Sequence, residues 1–158
     1  MRQETLYEMR DWQSMNSVFL DTNFFLDILD KSRERHDQAN SALVKLIEQD
    51  IRLYTSSDII STISYFLQKR LSIKETVANI GNIVESVKVL SSTNSDFLEL
   101  NRVILRHNTN SKIDYEDCMQ LYLANKHKVD AILTTDKSFC EGLTRLFDVD
   151  VISLGEIG

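Results

Sequence analysis

Ser17-Val18-Phe19-Leu20-Asp21-Thr22-Asn23 is the stretch that decides how the rest of the chain is read. Val18, Phe19 and Leu20 form a short unbroken apolar run, the pattern of a strand covered on both faces. Asp21 falls where that strand must end. In an open parallel sheet, ligands bind outside the carboxyl ends of the strands. A carboxylate there is either part of a site or the N-cap of the next helix, and the remaining sequence has to separate the two.

Working outward, residues 24–30 read as a short helix and residues 31–35 as a charged, solvated connection. Residues 36–49 space Ala39, Ala42, Leu43, Leu46 and Ile47 along one helical face. Residues 51–55 read as a second strand. Ser57 serves as a plausible cap for a helix over 58–70, with Asp58 favourably placed near its N-terminus. Ser72 and Glu75 form a capping-box pair that opens the next helix. Strands at 87–90, 131–134 and 149–152 alternate with helices at 94–107 and 114–128. Alternation of this kind means an α/β domain with a mainly parallel central sheet.

Composition sets the outer bounds. The 158 residues are 42% hydrophobic and 27% charged, which suits one globular domain with a real core. Residues 1–14 fall outside the strand–helix pattern and are expected to form a peripheral extension, leaving residues 15–158 as a single domain. No apolar run approaches a membrane span and the N-terminus has no hydrophobic signal region, so a cytoplasmic protein with no membrane association is expected. Cys118 and Cys140 are too few for a disulfide framework and read as small buried hydrophobes. His36, His107 and His127 are scattered, with no spacing that suggests a triad or a zinc site. A net charge of −6 argues against charge-driven adhesion to nucleic acid. It leaves open an enzyme that meets nucleic acid through bound cations, because a metal offsets its acidic ligands.

Three acidic positions recur at equivalent places. Asp21 follows the first strand, and Asp136 follows the strand at 131–134. Asp117 lies in the first turn of the helix preceding that strand, and Leu121 and Ala124 share its face. That face must point inward, and an inward carboxylate is costly unless paired, hydrogen-bonded or bound to metal. Asp114 projects on the same side. Taken singly, Asp21, Asp114 and Asp136 are better read as helix caps. Taken together, they favour a centre for a hard divalent cation, Mg²⁺ or Mn²⁺, which relieves the repulsion between clustered carboxylates.

With those residues in place, the chain resembles the PIN-domain family. Phe19-Leu20-Asp21-Thr22-Asn23, Asp114-Tyr115-Glu116-Asp117 and Leu133-Thr134-Thr135-Asp136-Lys137 are similar to its three acidic motifs, in the order of the branch that includes VapC-type toxins. The resemblance implies a Rossmann-like three-layer α/β/α fold and a Mg²⁺- or Mn²⁺-dependent endoribonuclease. By position, Asp21, Asp117 and Asp136 are then the metal-binding acids. Thr22 and Asn23 shape the first turn, and Thr134 supports the last motif. It also implies a homodimer and an antitoxin protein partner.

One position departs from the family pattern. The Glu usual on the helix after the second strand is replaced by Thr62, and Asp114 is the preferred source of the missing acid. Substrate RNA phosphates are expected to meet cations around the pocket: Lys137, the Lys69-Arg70 pair, or Arg33 and Arg35. Each of these also reads as an ordinary solvated charge. The neutral Thr62 and the acidic surface motivate a rival reading, a catalytically silent PIN scaffold that binds RNA or a protein. A haloacid-dehalogenase-type phosphatase fits less well, because Asn23 stands where that chemistry wants a second Asp.

Overall fold

The structure is a computed structural model and describes residues 11–107, 113–135, 144 and 147–157. Its centre is a five-stranded sheet, all parallel, made of β1 (Ser17–Leu20), β2 (Arg52–Ser56), β3 (Lys88–Leu90), β4 (Ala131–Thr134) and β5 (Asp150–Ser153). The spatial order is β3-β2-β1-β4-β5. The chain thus grows the sheet one way from β1 to β3, then crosses back to add β4 and β5 on the other side of β1. The reversal lies between β1 and β4, which makes the crevice at their carboxyl ends the place where an open α/β sheet binds ligands.

The helices are α1 (Thr22–Leu29), α2 (His36–Glu48), α3 (Ser57–Gln68), α4 (Ile73–Ser86), α5 (Asn94–Arg106), α6 (Tyr115–Lys126) and α7 (Leu154–Ile157). Right-handed crossovers place α1–α4 on one face of the sheet and α5–α6 on the other. The packing follows suit: α1 meets α2 and α3, α3 meets α4, and α5 meets α6. All four residues of β1 and all four of β4 are buried, as central strands covered on both faces must be. The three-layer α/β/α architecture expected from the sequence is the one observed.

Local chemistry explains most of the boundaries. Ser72 and Glu75 form the complete capping box at the start of α4. Thr93 and Asp96 form a second one at α5. At α3 the cap is Ser56, not Ser57: the Ser56 side chain accepts from the Ile59 amide at 3.3 Å. The correction is one residue and has a simple cause. Ser57 already has helical geometry, whereas Ser56 ends β2 in an extended conformation, the backbone a cap requires. Trp12 is half-buried and packs against the core, just ahead of the buried Met15.

One helix departs from the one-face pattern. Residues Cys118 to Ala124 of α6 are all buried. A helix covered all round gives no single inward stripe. The direction of Asp117 therefore comes from its place in the first turn, where it is half-buried. No helix among the described residues is long and apolar enough to cross a membrane.

Candidate active site

Asp21 sits at the carboxyl end of β1 and is only 5% exposed. Its two oxygens do different work. Oδ1 accepts from the Phe24 amide at 2.9 Å and caps α1. Oδ2 accepts from the Thr134 hydroxyl at 2.6 Å, from the last residue of β4. The residue that caps α1 is therefore also the one that meets the end of β4. The strand end is fixed from both sides, since the Asp21 amide donates to the Leu133 carbonyl and the buried Thr55 hydroxyl donates to the Leu20 carbonyl.

Beside Asp21, the Thr22 Oγ1 is buried and finds no hydrogen-bond partner among the described residues. A buried hydroxyl without a partner is rare and costs free energy unless something polar reaches it. Asn23, one position on, is exposed. Asp114 is the exposed N-cap of α6 and its Oδ1 accepts from the Asp117 amide at 3.1 Å. Thr62 is half-buried on α3, one turn beyond the exposed Asp58.

The acidic character of this sheet edge extends to Glu116, in the first turn of α6. Glu116 has its carboxyl pushed up from the ordinary range, first by burial of its surroundings and then by the charges of Asp114 and Asp58. The charge of Asp58, in the first turn of α3, is thus felt at Glu116, in the first turn of α6. Nothing in the local sequence signals this, because it depends on how two helices from opposite halves of the chain are brought together.

Asp136 and Lys137 lie outside the described residues. Among the described residues no three His, Cys, Asp or Glu side chains converge as metal ligands. The donors that are present, the buried Asp21 carboxylate, the half-buried Asp117 and the unsatisfied Thr22 hydroxyl, are all oxygens. An all-oxygen set suits a hard cation and does not suit zinc or copper.

The cations separate clearly. Arg33 Nε is bonded to Asp27, a buried acid on α1, at 2.5 Å. Arg70 is ion-paired with Asp30. It lies beyond the far end of α3, a 12-residue helix, so about 18 Å from that helix's start. Lys69 lies over the ring of Tyr65. Arg35 alone among these reaches the end of β4, where its Nη1 donates to the Thr135 carbonyl at 3.3 Å.

The comparisons with known proteins agree with this architecture. The PIN domain family model matches residues 18–142. Ribonuclease VapC1 of Aquifex aeolicus is 34% identical over 127 residues, spanning 79% of this chain and 86% of that protein. Among solved structures, VapC20 of Mycobacterium tuberculosis, described as a sarcin-ricin loop cleaving toxin, is similar with a TM-score of 0.61 at 18% identity, covering 77% of this chain and 92% of that one. A chain of the DNA-bound VapBC of Salmonella typhimurium is similar with a TM-score of 0.65 at 15% identity, covering 89% and 99%. At those identities the solved structures speak for the fold alone, while the family model and the sequence relative speak for descent. This chain belongs to the PIN-domain family, in its VapC-like branch.

Proposed function

We propose that the chain is a Mg²⁺- or Mn²⁺-dependent endoribonuclease that hydrolyses RNA phosphodiester bonds, and that it acts as the toxin of a toxin–antitoxin pair. The observation that carries this reading is the Asp21–Thr134 pair at the β1–β4 crevice. It holds a buried carboxylate, already oriented, at the point where the strand order reverses. Asp21, Asp117 and Asp136 are the residues that would hold the cation, with Asp114 or Glu116 adding charge at the rim. A cation held there would polarise a phosphoryl oxygen and lower the pKa of a water. Thr134 keeps one Asp21 oxygen in place, and Thr22 offers its unsatisfied hydroxyl to the water shell.

The toxin role rests on relatives. The Aquifex relative is named a ribonuclease, and similar solved chains come from VapBC and other toxin–antitoxin complexes. An antitoxin partner, a homodimer and a cytoplasmic location are proposed on the same footing. Residues 15–158 are proposed as the catalytic domain.

The deciding experiment is cleavage of a labelled RNA at millimolar Mn²⁺ by the full chain and by Asp21→Asn. Asparagine caps helices about as well as aspartate, so the variant should fold, with a modest loss of stability where Thr134 meets residue 21, and lose cleavage. A wild-type protein that cuts no RNA under these conditions sinks the nuclease reading. The neutral Thr62 favours a second reading, a silent scaffold that binds RNA or a protein partner. Calorimetric titration with Mn²⁺ separates the two, since a silent scaffold shows no binding that depends on Asp21.

A further inference from the structure

We propose that Arg35 is the residue that grips an RNA phosphate beside the Asp21–Thr134 pair. The inference deepens the nuclease reading and rests on it.

The chain is acidic overall, so a polyanion must be held by a few well-placed cations. Most of the other candidate cations are already committed. Arg33 is spent on the buried Asp27, Arg70 on Asp30, Lys126 on Asp96, and Lys45 on the carbonyl of Ile157. Lys69 covers Tyr65 near the C-terminal end of α3. Arg35 differs in both place and availability. It is exposed at the start of α2, and its Nη1 bond to the Thr135 carbonyl puts it one residue from Thr134, the donor to Asp21.

A guanidinium carries five N–H donors in a fixed fork. One of them meets Thr135, and the others have no acceptor among the described residues. The loop that carries Arg35 is braced. Asp30 accepts from both the amide and the hydroxyl of Ser32, Arg33 is tied to Asp27, and the His36 ring is bonded to the Asp27 carbonyl. The side chain is therefore presented from a fixed backbone, anchored through one donor, with a fork left over that matches two oxygens of a phosphodiester. A cation there also balances the carboxylates that would otherwise repel the substrate.

The test uses the full chain and a fluorescent single-stranded RNA oligonucleotide. Anisotropy is read across a salt series for wild type, Arg35→Gln and Arg35→Lys, each also carrying Asp21→Asn to prevent cleavage. Gln keeps a neutral donor for Thr135, and Lys keeps the charge. The expected result is about tenfold weaker RNA binding for Arg35→Gln, the scale of one charge-assisted contact. Its log Kd–log salt slope is shallower by about 0.7, the value for one phosphate on a single strand. Arg35→Lys restores the slope. Mn²⁺ affinity, measured by calorimetry without Asp21→Asn, stays at the wild-type value in both.

An unchanged slope in Arg35→Gln overturns the proposal. So does a fall in Mn²⁺ affinity with the slope intact, because Arg35 would then act only by holding the Thr135 backbone. Wild-type cleavage with an unchanged Arg35→Gln slope removes this inference and leaves the nuclease standing. Absence of wild-type cleavage removes the nuclease, and the slope comparison still decides whether Arg35 meets a phosphate. A wild type that binds no RNA removes both.

Discussion

The Thr134 hydroxyl donates to Asp21 Oδ2 at 2.6 Å, joining two residues 113 positions apart at the ends of neighbouring strands. Both side chains are buried. A short hydrogen bond to a buried carboxylate fixes its rotamer. Thr134→Val, nearly the same shape, removes the donor and leaves the oxygen short of a partner. The expected cost is about 1–3 kcal/mol in urea denaturation. Cleavage should fall more than stability alone explains, since the carboxylate loses its orientation. A variant with wild-type stability and wild-type cleavage would show that the bond is incidental.

Asp96 makes a different use of a buried acid. It accepts from Lys126 at 2.7 Å, from the Tyr122 hydroxyl at 3.3 Å, and from both the amide and the hydroxyl of Thr93. The Lys126 bond is the main reason its carboxyl is held at about 2, against 3.8 ordinarily. A depressed carboxylate contributes stability above its unfolded pKa and loses it as pH falls through its folded value. Asp96→Asn should therefore cost about 2 kcal/mol at pH 5, and the gap to wild type should close between about pH 4 and pH 2. The Tyr122 hydroxyl, pushed up to about 12 by burial and by Glu99 and Asp96, stays protonated throughout. Urea midpoints at pH 2, 3 and 5 check this, and a gap that does not change with pH would contradict it.

Glu116 carries the opposite sign. Burial and its neighbours Asp114 and Asp58 raise its carboxyl above the ordinary 4.5. Ionisation is then a cost to the folded state, absent below the unfolded value and complete above the folded one. Glu116→Gln should melt higher than wild type at pH 7 and at the same temperature near pH 4. Exposure to solvent keeps the effect small. Equal melting temperatures at pH 7 would mean that the two helix starts do not repel.

Much of this was legible in the chain, and the illegible part has a common cause. The apolar run of β1, the Ser72–Glu75 box and the acid at the end of β1 are local signals that need only a few neighbours in sequence. That β4 lies beside β1, so that Thr134 reaches Asp21, is a fact about strand order. The periodicity of neither strand contains it. The same holds for Glu116, which feels the charge of Asp58 on a helix far away in sequence, and for Arg35, which in sequence is one of several charges in a solvated loop. Asp21 itself was ambiguous between cap and site for a physical reason. A carboxylate has two oxygens, and here one caps α1 while the other meets Thr134.

Thr62 offers the sharpest test of the pocket. It is half-buried on α3, where the family's usual residue is Glu, and it brings no charge. If that position faces the cation, Thr62→Glu adds a fourth carboxylate to a crowded set. Without metal, the added charge repels Asp21 and Asp117 and should lower the melting temperature. With Mn²⁺, the repulsion becomes attraction, and a ligand that binds only the folded state stabilises in proportion to its affinity. The variant should therefore gain more in melting temperature from Mn²⁺ than wild type does, and calorimetry should show tighter binding. The crossing of the two effects is what matters. A general loss of packing lowers stability with and without metal alike, whereas a carboxylate in the pocket lowers it in one condition and raises the metal's contribution in the other. If Mn²⁺ raises both proteins equally, α3 does not line the cation site, and the acids at the first turn of α6 carry the charge that Thr62 lacks.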